Sequence, residues 1–332
     1  MYRSAFMKKI SWKVVLLSIL LSSCSGIKNA EISNQLIDSN CNQQNAYSYA
    51  SEELPKPLYE IDLDTSLYNQ FSFKSLNIAN AIGVLDYLRE YVKIHTTIDD
   101  NPSIEQRLDI IELSNKINQR INLSSLEISA VVSEIDCEEE RADQLAAYMK
   151  GKEKDTETKL TVSAIVVGAI GAISSGTLLI NGDKSNTPDF IGIGTGLIEA
   201  TLGILILTNN KKEEFHHSRN VLKDIWEGRE TSIMFPTSVW YYLNYFDPET
   251  PDDHSLRYQI IERWMSFEQI SSAKSKKKRS LFDIYFGEGG KYTSQELKTR
   301  SNMLDQLEAQ VSLMKQDLKG LASELEHISK KD

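Results

Sequence analysis

The stretch that most constrains this chain is Leu160–Leu207, two apolar runs around a short polar turn. Leu160–Ile180 carries no charge in 21 residues, and Phe190–Leu207 carries one, Glu199, in 18. Between them Asn181–Asp189 reads Asn-Gly-Asp-Lys-Ser-Asn-Thr-Pro-Asp, a turn by composition. Small residues recur every four positions: Ala164, Gly168, Ala172 and Gly176, then Gly192, Gly196 and Ala200. On a helix that spacing lines each set along one face, where missing side chains let two backbones approach. The pattern predicts a helical hairpin over 160–207 with a Gly/Ala seam of the glycine-zipper type. Glu199 is then an intramembrane or buried charge, and it is the residue to watch, because either setting is costly for a carboxylate.

Long helical patterns flank the hairpin. Asn101-Pro102 has the chemistry of an N-cap and first helical position, and no Pro or Gly follows until Gly151. Ile110, Ser114, Ile117, Ile121, Ser124, Ile128, Val131, Ile135, Glu138, Ala142, Leu145 and Met149 alternate by four and three, a heptad seam with three polar interruptions. The helix either breaks near Gly151 or runs unbroken into the hairpin. Near the C-terminus Thr293 and Glu296 form a capping box. Leu297, Leu304, Val311, Leu318 and Leu325 then recur every seven, with Leu307, Met314, Leu321 and Ile328 in the companion position. That seam pairs with the 110–149 seam of the same chain, or with a second copy. The intramolecular choice satisfies both seams without assembly.

Shorter elements fill the rest. Leu76–Ile94 reads as one amphipathic helix, Lys211–Trp226 as helical, aromatic-rich Thr237–Phe246 as a short helix, and Ser255–Ile270 as another. The fold class is all-α: an elongated helical bundle and coiled coil carrying an apolar Gly/Ala-rich hairpin. Its divisions are 24–57 as a flexible tether, 58–159 as a stalk, 160–207 as the hairpin, 208–292 as a helical region with aromatic and basic loops, and 293–332 as the C-terminal coiled-coil helix.

The amino terminus has its own chemistry. Arg3, Lys8, Lys9 and Lys13 precede an eight-residue apolar core, Val14–Leu21, too short to span a bilayer. Leu21-Ser22-Ser23-Cys24 follows. Here residues 1–24 resemble the signal peptide of a bacterial lipoprotein precursor, whose lipobox sets small residues before a cysteine. The resemblance implies a signal peptide at 1–23, cleavage before Cys24, and acyl chains such as palmitate on its thiol and new amino group. It also implies a cell-envelope address, and Ser25 after the lipidated cysteine fits the outer membrane. Losing the four basic residues of the signal takes the formal charge from −10 to −14. So acidic a chain is a poor general binder of nucleic acid. Cys41 and Cys137 remain, as one disulfide in an oxidising compartment or as two thiols.

Three settings suit the hairpin. A conventional transmembrane pair would leave Lys184 alone in the turn while Lys152, Lys154, Lys159, Lys211 and Lys212 lie on the outer flanks, opposite to the usual bias. A buried core needs a cover that few other apolar stretches supply, though oligomerisation would provide one. A hidden hairpin, soluble on secretion and inserted later, is similar in layout to α-helical pore-forming toxins, with no shared motif; a version of the last two, an envelope protein whose hairpin contacts membrane or partner hairpins, is the expectation.

Catalytic chemistry is not assembled. His216-His217 and Asp252-Asp253-His254 lack a third metal ligand and read as solvated. Gly287-Glu288-Gly289-Gly290-Lys291 lacks the strand and spacing of a phosphate loop and reads as a helix-entry turn. Lys274 and Lys276–Arg279 read as a solvated basic loop or an anionic-lipid contact. The expectation is a protein without metal, cofactor or enzymatic activity. It is held to a membrane by Cys24 and acts as a helical scaffold or membrane-interaction module through its apolar hairpin, with an envelope partner or a second copy engaged through hairpin or coiled coil, and a pore-forming or membrane-disrupting protein as the alternative.

Overall fold

A single helix, α4, runs from Ile104 to Ile180 without a break, 77 residues and about 115 Å at 1.5 Å per residue. The computed structural model describes residues 41, 46–97, 103–180, 187–217, 219–248, 254–266 and 275–329. Cys24, Asn101-Pro102, Lys274, Asp252-Asp253 and the 181–186 turn lie outside the described residues. At the start of α4 Ser103 and Gln106 form a capping box: the Gln106 amide donates to Ser103 Oγ at 3.2 Å, and the Ser103 amide to Gln106 Oε1 at 2.9 Å. Gly151 does not break the helix, and a side chain there would meet open space.

Helix α4 buries one seam. Leu113, Ile117, Ile121, Ser124, Ile128, Val131, Ile135, Ala142, Leu145 and Met149 are all buried, while Ile110, Ser114 and Glu138 are partly exposed. Across it lies α10, Ser294–Ser329, with Leu297, Leu304, Leu307, Val311, Met314, Leu318, Leu321, Leu325 and Ile328 buried. Lys298 reaches Asp143 at 2.6 Å and Ser301 reaches Glu139 at 2.6 Å, so the two helices run antiparallel. The two heptad seams close on each other within one chain. The fold is all-α. Thr293 caps α10, accepting from the Glu296 amide at 3.2 Å while its own amide donates to Glu296 Oε2 at 2.8 Å.

Short helices dress this pair: α1 (Thr65–Gln70), α2 (Phe73–Ala81) and α3 (Leu85–Thr97) before α4, and α6 (Val221–Glu227), α7 (Thr237–Asn244), α8 (Leu256–Ser266) and α9 (Ser275–Phe286) after the hairpin. The expected single helix 76–94 is split at Gly83. That glycine sits at φ +72, with the Val84 amide bonded to the Ala79 carbonyl at 2.9 Å and the Gly83 amide to Asn80 at 3.0 Å. These are the bonds of a Schellman motif, whose left-handed residue favours glycine. The apolar spacing runs through the break because α2 and α3 both face the same core.

Two further expectations are corrected. Glu213–His216, read as helical, is strand β1, antiparallel to β2 (Gly289–Tyr292) with Phe215 opposite Gly290. Gly289 at φ +96 lies so close to the Phe215 carbonyl that a side chain would overlap it, so these glycines admit a neighbouring backbone. In the part of the tether that is described, residues 46–57 lie on the bundle. The Tyr47 amide donates to Ile233 O at 3.0 Å, and Tyr49 OH accepts from the Ser232 amide at 3.0 Å and donates to Phe235 O at 3.2 Å. A disulfide joins Cys41 to Cys137 on α4, with Cα atoms 5.5 Å apart.

Candidate functional site

Helix α5, Thr187–Leu207, folds back along the end of α4 to make the hairpin. By length and composition, Ile104–Thr177 contains a window able to cross a membrane, and Ile191–Leu207 is a shorter apolar helix. Only 6 % of that window is buried. Ile165, Ile170 and Ile173 on one arm and Ile193, Leu197 and Ile204 on the other are each about 60–70 % exposed. The arms pack on one another, and the reading of a hairpin buried as core within its own bundle is overturned.

The seam between the arms differs from the expected one. A side chain at Gly168 would overlap the Glu199 carboxyl, and one at Gly171 would come within 2.5 Å of Thr195. Each pair is nearly equidistant in sequence from Asp183 and Lys184, as an antiparallel hairpin requires. On α4, Ala164 and Gly176 are partly buried and Ala172 is exposed; on α5, Gly192, Gly196 and Ala200 are exposed. Side chains at Gly176, Gly192 and Gly196 would meet nothing within 4 Å. The physical reason is asymmetric packing. The glycines of α4 receive larger groups of α5, where Ile191, Thr195, Leu202 and Ile206 turn partly inward. Burying those side chains removes more apolar surface than a glycine-to-glycine contact does. Gly171 and Thr195 were missed by the period of four, and a period alternating three and four finds them. Glu199 is exposed, not buried by protein, and its carboxyl lies against Gly168.

Four hydroxyls of the two arms turn back onto their own helix. Ser163 bonds Lys159 O at 2.8 Å, Thr195 Ile191 O at 3.0 Å, Thr201 Leu197 O at 2.8 Å and Thr177 Ser174 O at 3.0 Å. The base is clamped. Asn209 Nδ2 donates to Glu153 O at 3.2 Å, Ser294 Oγ to Glu153 Oε2 at 3.0 Å, and the ribbon β1–β2 ties the end of α5 to α10.

Beneath the ribbon is a polar cluster that sequence reasoning missed. His217, expected to be solvated, is buried, whereas His216 is exposed. Tyr292 OH donates to Ile284 O, so it accepts from His217 Nε2 at 2.8 Å, and His217 Nδ1 is left without a partner. Arg300 is fully buried, its guanidinium donating to Tyr285 O at 3.1 Å and Asn220 Oδ1 at 3.2 Å. Arg141 pairs with Glu138 at 2.8 Å and stacks 4.8 Å from the Phe215 ring. Burial first, then the Arg300 and Arg141 charges, push the His217 imidazole far below its usual range.

A cleft of about 580 Å³ opens beside His216. Its Arg219 pairs with Glu134 at 3.1 Å, Arg229 with Glu227 at 2.6 Å, and Asp224 with Ser232, so these charges serve the fold. Burial raises the Asp224 carboxyl, and the Ser232 bond opposes it. Gly289 and Gly290 lie in strand β2 instead of a helix-entry turn, and Lys276–Arg279 begin α9 instead of forming a loop. Among the described residues no three His, Cys, Asp or Glu side chains gather as a metal site would require. No family model matches the chain, no curated protein matches it, and no solved structure matches it.

Proposed function

We propose that this protein is a lipid-anchored component of the bacterial cell envelope whose apolar hairpin engages a membrane. The observation that carries the reading is the uncovered hairpin, with Ile165, Ile173, Ile193 and Leu197 facing outward. The 21 uncharged residues of its first arm measure about 31 Å as a helix, close to the roughly 30 Å of bilayer hydrocarbon. Hydroxyls bonded to their own backbone suit a medium without water. Each arm carries ten Leu, Ile, Val or Phe residues, about −3 to −6 kcal/mol at mid-bilayer, against about +3 for Glu199. Insertion is therefore marginal by itself. An acylated Cys24 holds the hairpin at high local concentration beside a membrane, which favours the second step.

Pore formation is the second reading. A water-filled pore needs a polar wall, and the hairpin offers Thr195 and Glu199 on its inner seam with apolar groups outside. That distribution favours anchoring or association over a wide lumen.

Metabolic labelling with a radiolabelled fatty acid tests the anchor: the wild type takes label and Cys24→Ser does not. Continued labelling of Cys24→Ser removes this part of the proposal. For the hairpin, the chain from Ser25 onward, without signal segment or lipid, is expected to float with liposomes, and the same chain with Ile165→Asp and Leu197→Asp to remain in solution. Equal flotation of both sinks the membrane role, and release of trapped dye by the floating protein moves the reading to a pore.

A further inference from the structure

Glu199 is the one charged residue in the two apolar runs, Leu160–Ile180 and Phe190–Leu207. Its carboxyl lies against Gly168 of α4. Gly168 is eight residues from Leu160 at the base of one arm, and Glu199 is eight residues from Leu207 at the base of the other. Both counts place the carboxyl about 12 Å from the base of the hairpin, near the middle of a hydrocarbon layer about 30 Å thick.

Nothing at that depth answers a negative charge. The length of α4 against which α5 packs, 160–180, holds no titratable side chain, and on α5 the other such group is Asp189, ten residues from Glu199. Lys159 stands nine residues from Gly168, Lys211 twelve from Glu199, and Lys184 fifteen from Glu199 in the turn. Nine residues are about 13 Å along a helix. Among the described residues Glu199 forms no ion pair and no hydrogen bond. Gly168 brings no side chain, and its amide is committed inside α4. Thr195, the seam hydroxyl one turn away, gives its proton to Ile191 O at 3.0 Å. Leaving water as a carboxylate therefore forfeits hydration for no new bond, and the neutral carboxyl enters an apolar medium at much lower cost.

We propose that the hairpin enters the bilayer with Glu199 protonated, so that membrane entry takes up one proton per chain and strengthens as pH falls. The inference rests on the membrane role of the hairpin and adds its regulation. Glu199 is exposed on the flank of the seam, so the proton reaches it without any opening of the fold. A carboxyl in water is ionised at neutral pH. The bound chain then carries one proton more than the free chain, and each unit of falling pH raises the bound-to-free ratio by up to about tenfold, until the free carboxyl is itself protonated. Because insertion of the charged form is marginal, a change of that size moves the chain between solution and membrane.

The test floats the chain from Ser25 onward, without signal segment or lipid, on phosphatidylcholine vesicles, which carry no net charge to confuse the titration. The wild type is expected to bind about ten- to a hundredfold more tightly at about pH 5.5 than at about pH 7.5. Glu199→Gln keeps the size of the side chain and removes the titration. It is expected to bind at about pH 7.5 nearly as the wild type does at about pH 5.5, on a curve at least about tenfold flatter. The remaining titrating groups, His217 among them, are common to both chains and cancel in the comparison. In weakly buffered solution near pH 7, adding vesicles is expected to draw about one proton from the medium per wild-type chain bound, and none on account of Glu199→Gln. Parallel curves for the two chains, or equal proton uptake, overturn the inference and leave the hairpin's membrane role standing. Flotation of neither chain at any pH overturns both.

Discussion

Arg300 stands where the heptad of the last helix calls for an apolar side chain, three residues after Leu297 in the position later filled by Leu307, Met314, Leu321 and Ile328. Its guanidinium meets the Tyr285 carbonyl and Asn220, while Glu138, one of the three polar interruptions of the facing seam, holds Arg141. A buried polar layer of this kind tolerates few alternatives, because any slip leaves a charge without its bonds. His217 lies in the same layer and is kept neutral there. Unfolded, an imidazole takes a proton near pH 6.5; folded, this one does not. Its contribution to stability is thus present above about pH 6.5 and is lost as pH falls below it. Denaturant unfolding of His217→Gln is expected to show a shallower loss of stability from about pH 6.5 to 4.5 than the wild type. Equal slopes would mean that His217 is not held neutral by the fold. Glu138 was legible as an interruption of its seam, but its neighbours Arg141 and Arg300 were not, because that layer exists only once two helices and a ribbon have met.

At the scale of elements, the hairpin was legible and its seam was not. Apolar runs around a polar turn announce two helices, and the turn fixes which residues lie opposite. Stripe periodicity alone, however, does not decide which face turns inward. The structure puts Gly168 and Gly171 against Glu199 and Thr195, and leaves Gly192 and Gly196 outside. Gly171→Cys with Thr195→Cys should therefore cross-link rapidly on mild oxidation, and Ala172→Cys with Gly196→Cys slowly; the reverse order would restore the Gly/Ala seam. Strand β1 escaped a sequence reading for a related reason. Glu213–His216 is too short to show a period, and its partner strand lies more than seventy residues away.

For the whole molecule, the bridge from Cys41 to Cys137 spans 96 residues of chain and fastens residue 41 to the middle of the longest helix. By the chain-entropy account, closing a loop of that length limits the unfolded ensemble by about 4–5 kcal/mol. Cys137→Ser is expected to lose up to about 4 kcal/mol in denaturant unfolding, and the reduced wild type a similar amount. A loss near zero would show that residues 46–57, through Tyr47 and Tyr49, hold the segment without the bridge.

The sequence by itself determined the helices, their seams and the hairpin, because heptad spacing, capping residues and uncharged runs act locally along the chain. It also contained the Thr293 cap in readable form, whereas the stop at Gly83 was hidden by apolar spacing that runs through it. Tertiary structure decided the rest: which hairpin face closes, that His217 is buried while His216 is not, and that two glycines serve a strand. It also set the descent of residues 46–57 onto the bundle, where Tyr49 meets a segment some 180 residues away along the chain. Those outcomes depend on which surfaces meet and exclude water, and contacts distant along the chain leave no period in it.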